Sequence, residues 1–253
     1  MTKSLTVRQT TLSATTGLRL IVSLMIKNVD DVAPLATVWQ RVKPDLLEWR
    51  IDQLADQSRH NVLVTGKALR EQAGNIPIIA TIRTATEGGP FAAGDASYQK
   101  IYTALLESHL IDFVDIEASQ TPMNIKILLA NAKAFNVATI ISHHDFQKTP
   151  AEGEIIQQLA DMASYQPAIV KAAYMPAQPT DVLTVLQATA KANTILAPQL
   201  LTMTMGDFGK MSRVIGDQFG SVASFVTMND TQSAPGQLDI DIVRNLRMQL
   251  GLS

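Results

Sequence analysis

The sequence predicts an α/β fold, a (β/α)8 TIM barrel with a short N-terminal β-hairpin closing one end. Three observations carry that expectation. Eight short apolar runs recur at fairly even spacing, each followed by an amphipathic, helix-like segment. Strands that alternate with helices imply a parallel sheet covered on both faces. Eight such units in 253 residues suit a closed barrel better than an open sheet. The open doubly wound alternative would want a glycine-rich dinucleotide loop after the first strand, and none is present.

The predicted strands are 20–26, 46–52, 76–83, 113–117, 137–142, 168–175, 199–205 and 223–228. Helix signals stand between them. Asp30-Asp31 opens one helix, and Thr121-Pro122 sets a proline just inside the start of another. The helix over 150–163 carries Glu152 and Glu154 in its first turn, where the helix dipole favours acids. The last helix begins near Leu238-Asp239 and runs to Leu250. Residues 1–19 are rich in β-favouring types and supply the hairpin. No linker or low-complexity stretch interrupts the chain, so 1–253 reads as one domain.

Composition narrows the classes of function. Hydrophobic residues make up 46% and charged residues 17%, which suits one sizeable core. A formal net charge of -2 with scattered basic residues argues against nucleic acid as a partner. The absence of cysteine excludes disulfides, thiolate catalysis and cysteine-ligated metals. The opening residues hold no apolar core long enough for a signal peptide, and no stretch approaches a membrane span. A cytoplasmic protein is expected.

One residue stands out chemically. Lys171 lies in the apolar run Ile169-Val170-Lys171-Ala172-Ala173-Tyr174-Met175. Burying an ammonium is costly, and a neutral amine in a dry pocket attacks ketones to form a Schiff base. His144 ends another apolar run, in Ser142-His143-His144-Asp145, and is a candidate to move protons beside such an imine. Taken singly, each has a plainer reading. Lys171 fits a strand-end lysine with its head in water, and His144 fits a loop anchor acting through Asp145.

Barrel enzymes gather catalytic groups at the carboxyl ends of their strands. There the second strand carries Glu48 and Arg50 on one face, and the third carries Arg83 followed by Glu87-Gly88-Gly89. The fifth supplies His144, the sixth Lys171, and the seventh Met203 and Met205. Phe225 on the eighth completes an apolar wall or a core contact. Arg213 follows in the next helix. The loop over 228–237 is polar and small-residued, with Ser233 and Gln237, and reads as a lid or clamp. Planar guanidinium forks suit a carboxylate, and carboxylates suit hydroxyls. The implied ligand is a small polyhydroxylated keto acid.

With these residues laid out, the chain closely resembles the type I 3-dehydroquinases, the Schiff-base enzymes of the shikimate pathway. The resemblance runs from about Leu20 to the C-terminus. It rests on Glu48-Trp49-Arg50, Arg83-Thr84 with Glu87-Gly88-Gly89, and Ser142-His143-His144-Asp145-Phe146 with Lys148-Thr149-Pro150. It rests further on Val170-Lys171, Met205-Gly206 through Ser212-Arg213, and Ser233-Ala234-Pro235-Gly236-Gln237. The resemblance implies dehydration of 3-dehydroquinate, with Lys171 forming the Schiff base and His144 as general acid/base. Arg213, Ser233 and Gln237 would hold the substrate carboxylate region. Glu48, Arg50, Arg83 and Glu87 would bind ring hydroxyls and support the lysine and histidine, with Glu87 influencing His144. It also implies a homodimer.

Strand alternation lets only one of the two histidines face the barrel mouth, and the family pattern favours His144. The lysine must be neutral to attack; burial and neighbouring cations, Arg83 and Arg213 among them, are expected to favour that state. No metal ligand set and no nucleotide motif are visible, so no cofactor is expected. Two rivals remain open. A class I aldolase or transaldolase would use the same lysine, but the glycine-rich phosphate cradle common after the last strands is missing. A binding barrel without chemistry would keep the pocket alone.

Overall fold

The computed structural model describes residues 3–228 and 233–252. Loop residues Asn229, Asp230, Thr231 and Gln232, read above as part of a lid, lie outside the described residues. An antiparallel hairpin, β1 (Leu5–Val7) and β2 (Thr10–Leu12), opens the fold. Eight parallel strands follow: β3 (Arg19–Leu24), β4 (Leu46–Arg50), β5 (Ile78–Thr81), β6 (Phe113–Glu117), β7 (Ala138–Asp145), β8 (Ile169–Tyr174), β9 (Gln199–Thr204) and β10 (Ala223–Val226). They pair in the order β10-β3-β4-β5-β6-β7-β8-β9. A bridge between Leu200 and Ser221, with Val222 N donating to Leu200 O at 2.8 Å, closes the ring.

The helices are α1 (Val32–Val42), α2 (Arg59–Ala73), α3 (Asp95–Ser108), α4 (Pro122–Ala134), α5 (Glu152–Ala163), α6 (Pro179–Ile195), α7 (Lys210–Ile215) and α8 (Ile240–Gln249). Local chemistry fixes their ends. Ser58 and Thr121 side chains accept from the backbone of Asn61 and Asn124, capping α2 and α4. Lys43 and His109 take the left-handed conformation that ends α1 and α3.

Period-two alternation sorts the strand residues into two cores. Leu47, Trp49, Ile116, Ile141 and Val170 face the helices. Ile21, Leu46, Ile79, Phe113, Ile140 and Ile169 fill the barrel, and Leu12 joins them with Leu5 and Val7 packed alongside. Arg19 Nε donates to Thr11 O, and Arg8 pairs with Asp112 just before β6. The hairpin therefore plugs the amino end of the barrel and leaves the carboxyl end open.

Two boundaries differ from expectation. The run through Asp52 stops at Arg50, because Ile51–Gln53 turns into a short 3-10 helix and frees the Asp52 carboxylate to accept from Arg83 N at 3.0 Å. The run ending at Ser142 continues to Asp145, because His143, His144 and Asp145 stay in register with Ala172, Ala173 and Tyr174. No helix of the described residues is long and apolar enough to cross a membrane.

Candidate functional site

The inward residues change character toward the carboxyl end. Above the apolar filling stand Ser23 on β3, Glu48 and Arg50 on β4, Thr81 on β5, Asp115 and Glu117 on β6, Ser142 and His144 on β7, and Lys171 on β8. The structure brings Glu48, Arg50, Arg83, His144, Lys171, Met203, Met205, Arg213, Phe225, Ser233 and Gln237 onto one pocket, with Gly88, Phe146, Ala173 and Ala234. Glu87 lies buried behind it. His143 points the other way, into an outer cleft beside Tyr174.

Lys171 is 3% exposed. Its Nζ donates to Asp115 Oδ2 at 2.9 Å, lies 3.5 Å from Glu48 Oε1, and sits 4.4 Å above the Phe225 ring. The surroundings expected from sequence differ here: carboxylates, not arginines, are the nearest charges, and Arg83 reaches the lysine only through Asp115 Oδ2, which both cations share. Glu48 is itself fixed, accepting from Ser23 Oγ at 2.5 Å and Thr81 Oγ1 at 3.0 Å.

Arg83 is the hub of the site. Its Nη1 donates to Glu117 Oε1 at 2.7 Å and Glu87 Oε2 at 3.3 Å, and its Nη2 to Asp115 Oδ2 at 3.3 Å. Burial opposes its charge, but Asp115, Glu117 and Glu87 outweigh that and raise its pKa. Arg50 spends its Nε and Nη2 on Asp52, at 2.9 and 2.7 Å. Both arginines, expected at ring hydroxyls, thus also serve as struts for neighbouring acids.

His144 Nδ1 lies 2.8 Å from Glu87 Oε2. Burial, then Arg83 and Lys171, hold the imidazole pKa well below its ordinary value, so it is neutral at neutral pH. Burial pushes the Glu87 carboxyl up to about 8 against the pull of Arg83. Its Oε1 has no hydrogen-bond partner among the described residues. Phe146 stacks beside His144, ring centroids 6.4 Å apart, and Gly88 leaves room for it: a β-carbon there would meet the ring at 2.7 Å.

Arg213 is the other pole. It is 1% exposed and has no carboxylate partner among the described residues. Its Nη2 donates to Pro235 O at 3.2 Å, its Nη1 reaches Met203 Sδ and Phe225 O at 3.5 Å, and its Nε is unpartnered. Burial pushes its pKa down to about 10. A buried cation without a counter-charge marks a place for an anion. Ser233 and Gln237 brace each other, Ser233 N donating to Gln237 Oε1 and Gln237 Nε2 to Ser233 Oγ, both at 2.8 Å. Ser233 Oγ donates to Ser23 Oγ at 2.9 Å, joining this leg of the loop to Glu48.

Sequence reasoning passed over Asp115, Glu117 and Ser23, and named Ser142 and Phe146 within a motif without giving them a role. The signal for the first two was present: Phe113-Val114-Asp115-Ile116-Glu117 puts two acids on the inward face of an apolar strand. Among the described residues, no group of three or more histidines or acids is arranged to hold a metal ion.

Fold and pocket define a (β/α)8-barrel enzyme whose site joins a buried amine, a neutral imidazole and a guanidinium with no carboxylate partner among the described residues. The family model for type I 3-dehydroquinase matches residues 20–252. A 3-dehydroquinate dehydratase of Lactiplantibacillus plantarum is 38% identical over 92% of this chain and 91% of its own length. One from Escherichia coli is 37% identical over 90% and 91%. The crystal structure of 3-dehydroquinate dehydratase from Geobacillus kaustophilus superposes with a TM-score of 0.94 at 35% identity, covering 99% of this chain and 98% of that one. The chain belongs to the type I 3-dehydroquinase family.

Proposed function

We propose that this enzyme dehydrates 3-dehydroquinate to 3-dehydroshikimate through an iminium on Lys171, with His144 as general acid/base. One observation carries the reading: a single pocket holds the Lys171 amine, the His144 imidazole and the Arg213 guanidinium, which has no carboxylate partner among the described residues. Arg213 receives the substrate carboxylate, and the ketone meets Nζ. The neutral amine attacks the carbonyl carbon, whose π electrons move to oxygen; proton transfer and loss of one water leave a C=N⁺H–Lys171 iminium. The iminium draws electrons, so the proton on the adjacent carbon becomes acidic.

His144 Nε2 takes that proton and forms an enamine. Returning electrons then expel the hydroxyl one carbon further on, which leaves as water with the proton His144 returns. Water hydrolyses the iminium and frees product and lysine, so one water is lost overall. The Glu87 contact decides which hydrogen-bonding form the imidazole starts from. An ionised Glu87 accepts from Nδ1–H and leaves Nε2 free as a base; a protonated Glu87 donates to Nδ1 and sets the proton on Nε2.

The dimer reading is supported by exposed Phe208, Met211, Ile242 and Leu246 on and beside α7 and α8. We read 1–253 as one domain of a cytoplasmic protein. The test is borohydride reduction with 3-dehydroquinate, followed by peptide mass mapping. A reduced adduct on Lys171 is expected. K171A loses turnover and adduct; H144A still forms the adduct but turns over about 10²–10⁴-fold more slowly. An adduct formed only with an aldolase substrate, or full activity in K171A, overturns the reading.

A further inference from the structure

The mechanism above uses Lys171 and leaves one buried group in contact with it unexplained. Asp115 is fully buried on β6 and accepts from Lys171 Nζ at 2.9 Å, closer than Glu48 at 3.5 Å. Its carboxylate is held from both sides: Ser142 Oγ donates to Oδ1, and Arg83 Nη2 donates to Oδ2 at 3.3 Å. Both donors come from neighbouring parts of the barrel wall, Ser142 from β7 and Arg83 from just beyond β5, so the oxygen facing the lysine has little freedom to move.

We infer that Asp115 is the positioning residue of the nucleophile, fixing the Lys171 nitrogen in the pocket and serving as its counter-charge both as ammonium and as iminium. The inference rests on the Schiff-base reading. An ammonium carries three N–H groups and can face both carboxylates. A ketone-derived iminium nitrogen keeps one N–H, so only one carboxylate can retain a hydrogen bond. Asp115 is the nearer acceptor. Glu48, braced by Ser23 and Thr81 instead, is released to face the substrate.

The same geometry keeps Asp115 ionised. Burial alone would raise its pKa, but Lys171, Arg83 and the Ser142 hydroxyl together lower it. The carboxylate therefore does not take the lysine's proton for itself, and the deprotonation that precedes attack must pass elsewhere. A negative charge 2.9 Å from Nζ interacts more strongly with a cationic nitrogen than with a neutral one, so it stabilises the iminium once formed. Its removal should ease the first step and damage the later ones.

The experiment follows borohydride trapping on Lys171 with 3-dehydroquinate as a function of pH, beside kcat, in the wild type and D115N. The acid limb of the trapping rate should move down by about 1–3 pH units in D115N, the range an opposite charge at this distance supplies. Over the same range kcat should fall at least about 10²-fold, as the iminium loses its counter-charge. A packing role alone would lower the rates without moving the limb. S142A serves if D115N does not fold: one anchor of the carboxylate goes and its hold on Nζ loosens, so the limb should move in the same direction as in D115N but by less, while kcat drops by roughly 3–10-fold, one lost hydrogen bond's worth. Trapping in the wild type with an unmoved limb in D115N, or wild-type kcat in S142A, overturns the inference alone. No wild-type adduct overturns the inference and the Schiff-base reading together.

Discussion

Replacing Arg213 by methionine should stabilise the protein while disabling it. The guanidinium is 1% exposed, contacts carbonyls and a thioether, and leaves Nε unpartnered. Burial pushes its pKa down to about 10, two to three powers of ten below an ordinary guanidinium. At about 1.4 kcal/mol per factor of ten, the buried charge costs roughly 3 kcal/mol. Methionine has similar length and no charge, but the bond to Pro235 O is lost, which offsets about 1 kcal/mol. The net gain is therefore about 1–2 kcal/mol, or roughly 2–8 °C in Tm for a domain of this size. Substrate binding moves the other way, because the ligand carboxylate would be buried without a partner, at about 2–5 kcal/mol. Thus kcat/KM should fall between about 30-fold and several thousand-fold. Calorimetry with and without a ring carboxylate lacking the ketone reads both effects: the ligand raises Tm in the wild type and leaves R213M unmoved. An R213M protein less stable than the wild type, or one with unchanged kcat/KM, refutes the assignment of Arg213 as an unpaired anion site.

Glu87 gives a pH-dependent stability of definite sign. Its folded carboxyl titrates near 8 against 4.5 for the ordinary group, so its contribution is whole below about pH 4.5 and is lost as pH rises through about 8. E87Q cannot ionise, and its Tm relative to the wild type should therefore be higher at pH 9 than at pH 5; equal differences at the two pH values would contradict the shift. Gly236 adopts φ +80°, and a β-carbon there would lie 2.1 Å from Gly206 O. G236A should displace the leg carrying Ser233 and Gln237 and lower kcat/KM by on the order of 10²-fold, as misplacement of about 1 Å does. Steady-state kinetics at unchanged kcat/KM would show that this leg has no part in binding.

The fold was legible because barrel strands buried on both faces read as continuous apolar runs, and the intervening helices carry their own caps in Ser58, Thr121 and Asp239. Strand ends were less legible, for a reason seen at β7. His143, His144 and Asp145 look like loop residues by type, yet the ladder to β8 continues through them. At β4 the reverse holds: Ile51 is apolar, but the backbone turns there so that Asp52 can tie Arg50 and the Arg83 amide together. Polarity along one strand records neither event, since both are set by a neighbour.

The same dependence on neighbours hid half of the site's electrostatics. Motifs and the strong chemistry of lysine and histidine pick out Lys171, His144 and Arg213, whereas Asp115 and Glu117 gain meaning only from cations 34 and 56 residues away. Around the pocket, five buried carboxyl groups (Glu48, Asp52, Glu87, Asp115 and Glu117) meet four buried cations (Arg50, Arg83, Lys171 and Arg213). With Glu87 protonated, the set is neutral overall, but its charges are unevenly placed. Four carboxylates crowd Lys171, Arg83 and Arg50, while Arg213 stands apart among Met203, Phe225 and Pro235. The pocket is therefore bipolar, with excess negative charge where an iminium would form and excess positive charge where a carboxylate would rest. A ligand with a ketone at one end of a small ring and a carboxylate at the other matches both poles at once; a phosphorylated aldol substrate would present its two negative charges to the single cation Arg213. That asymmetry, more than any one residue, is the physical reason the dehydratase reading outranks the aldolase one.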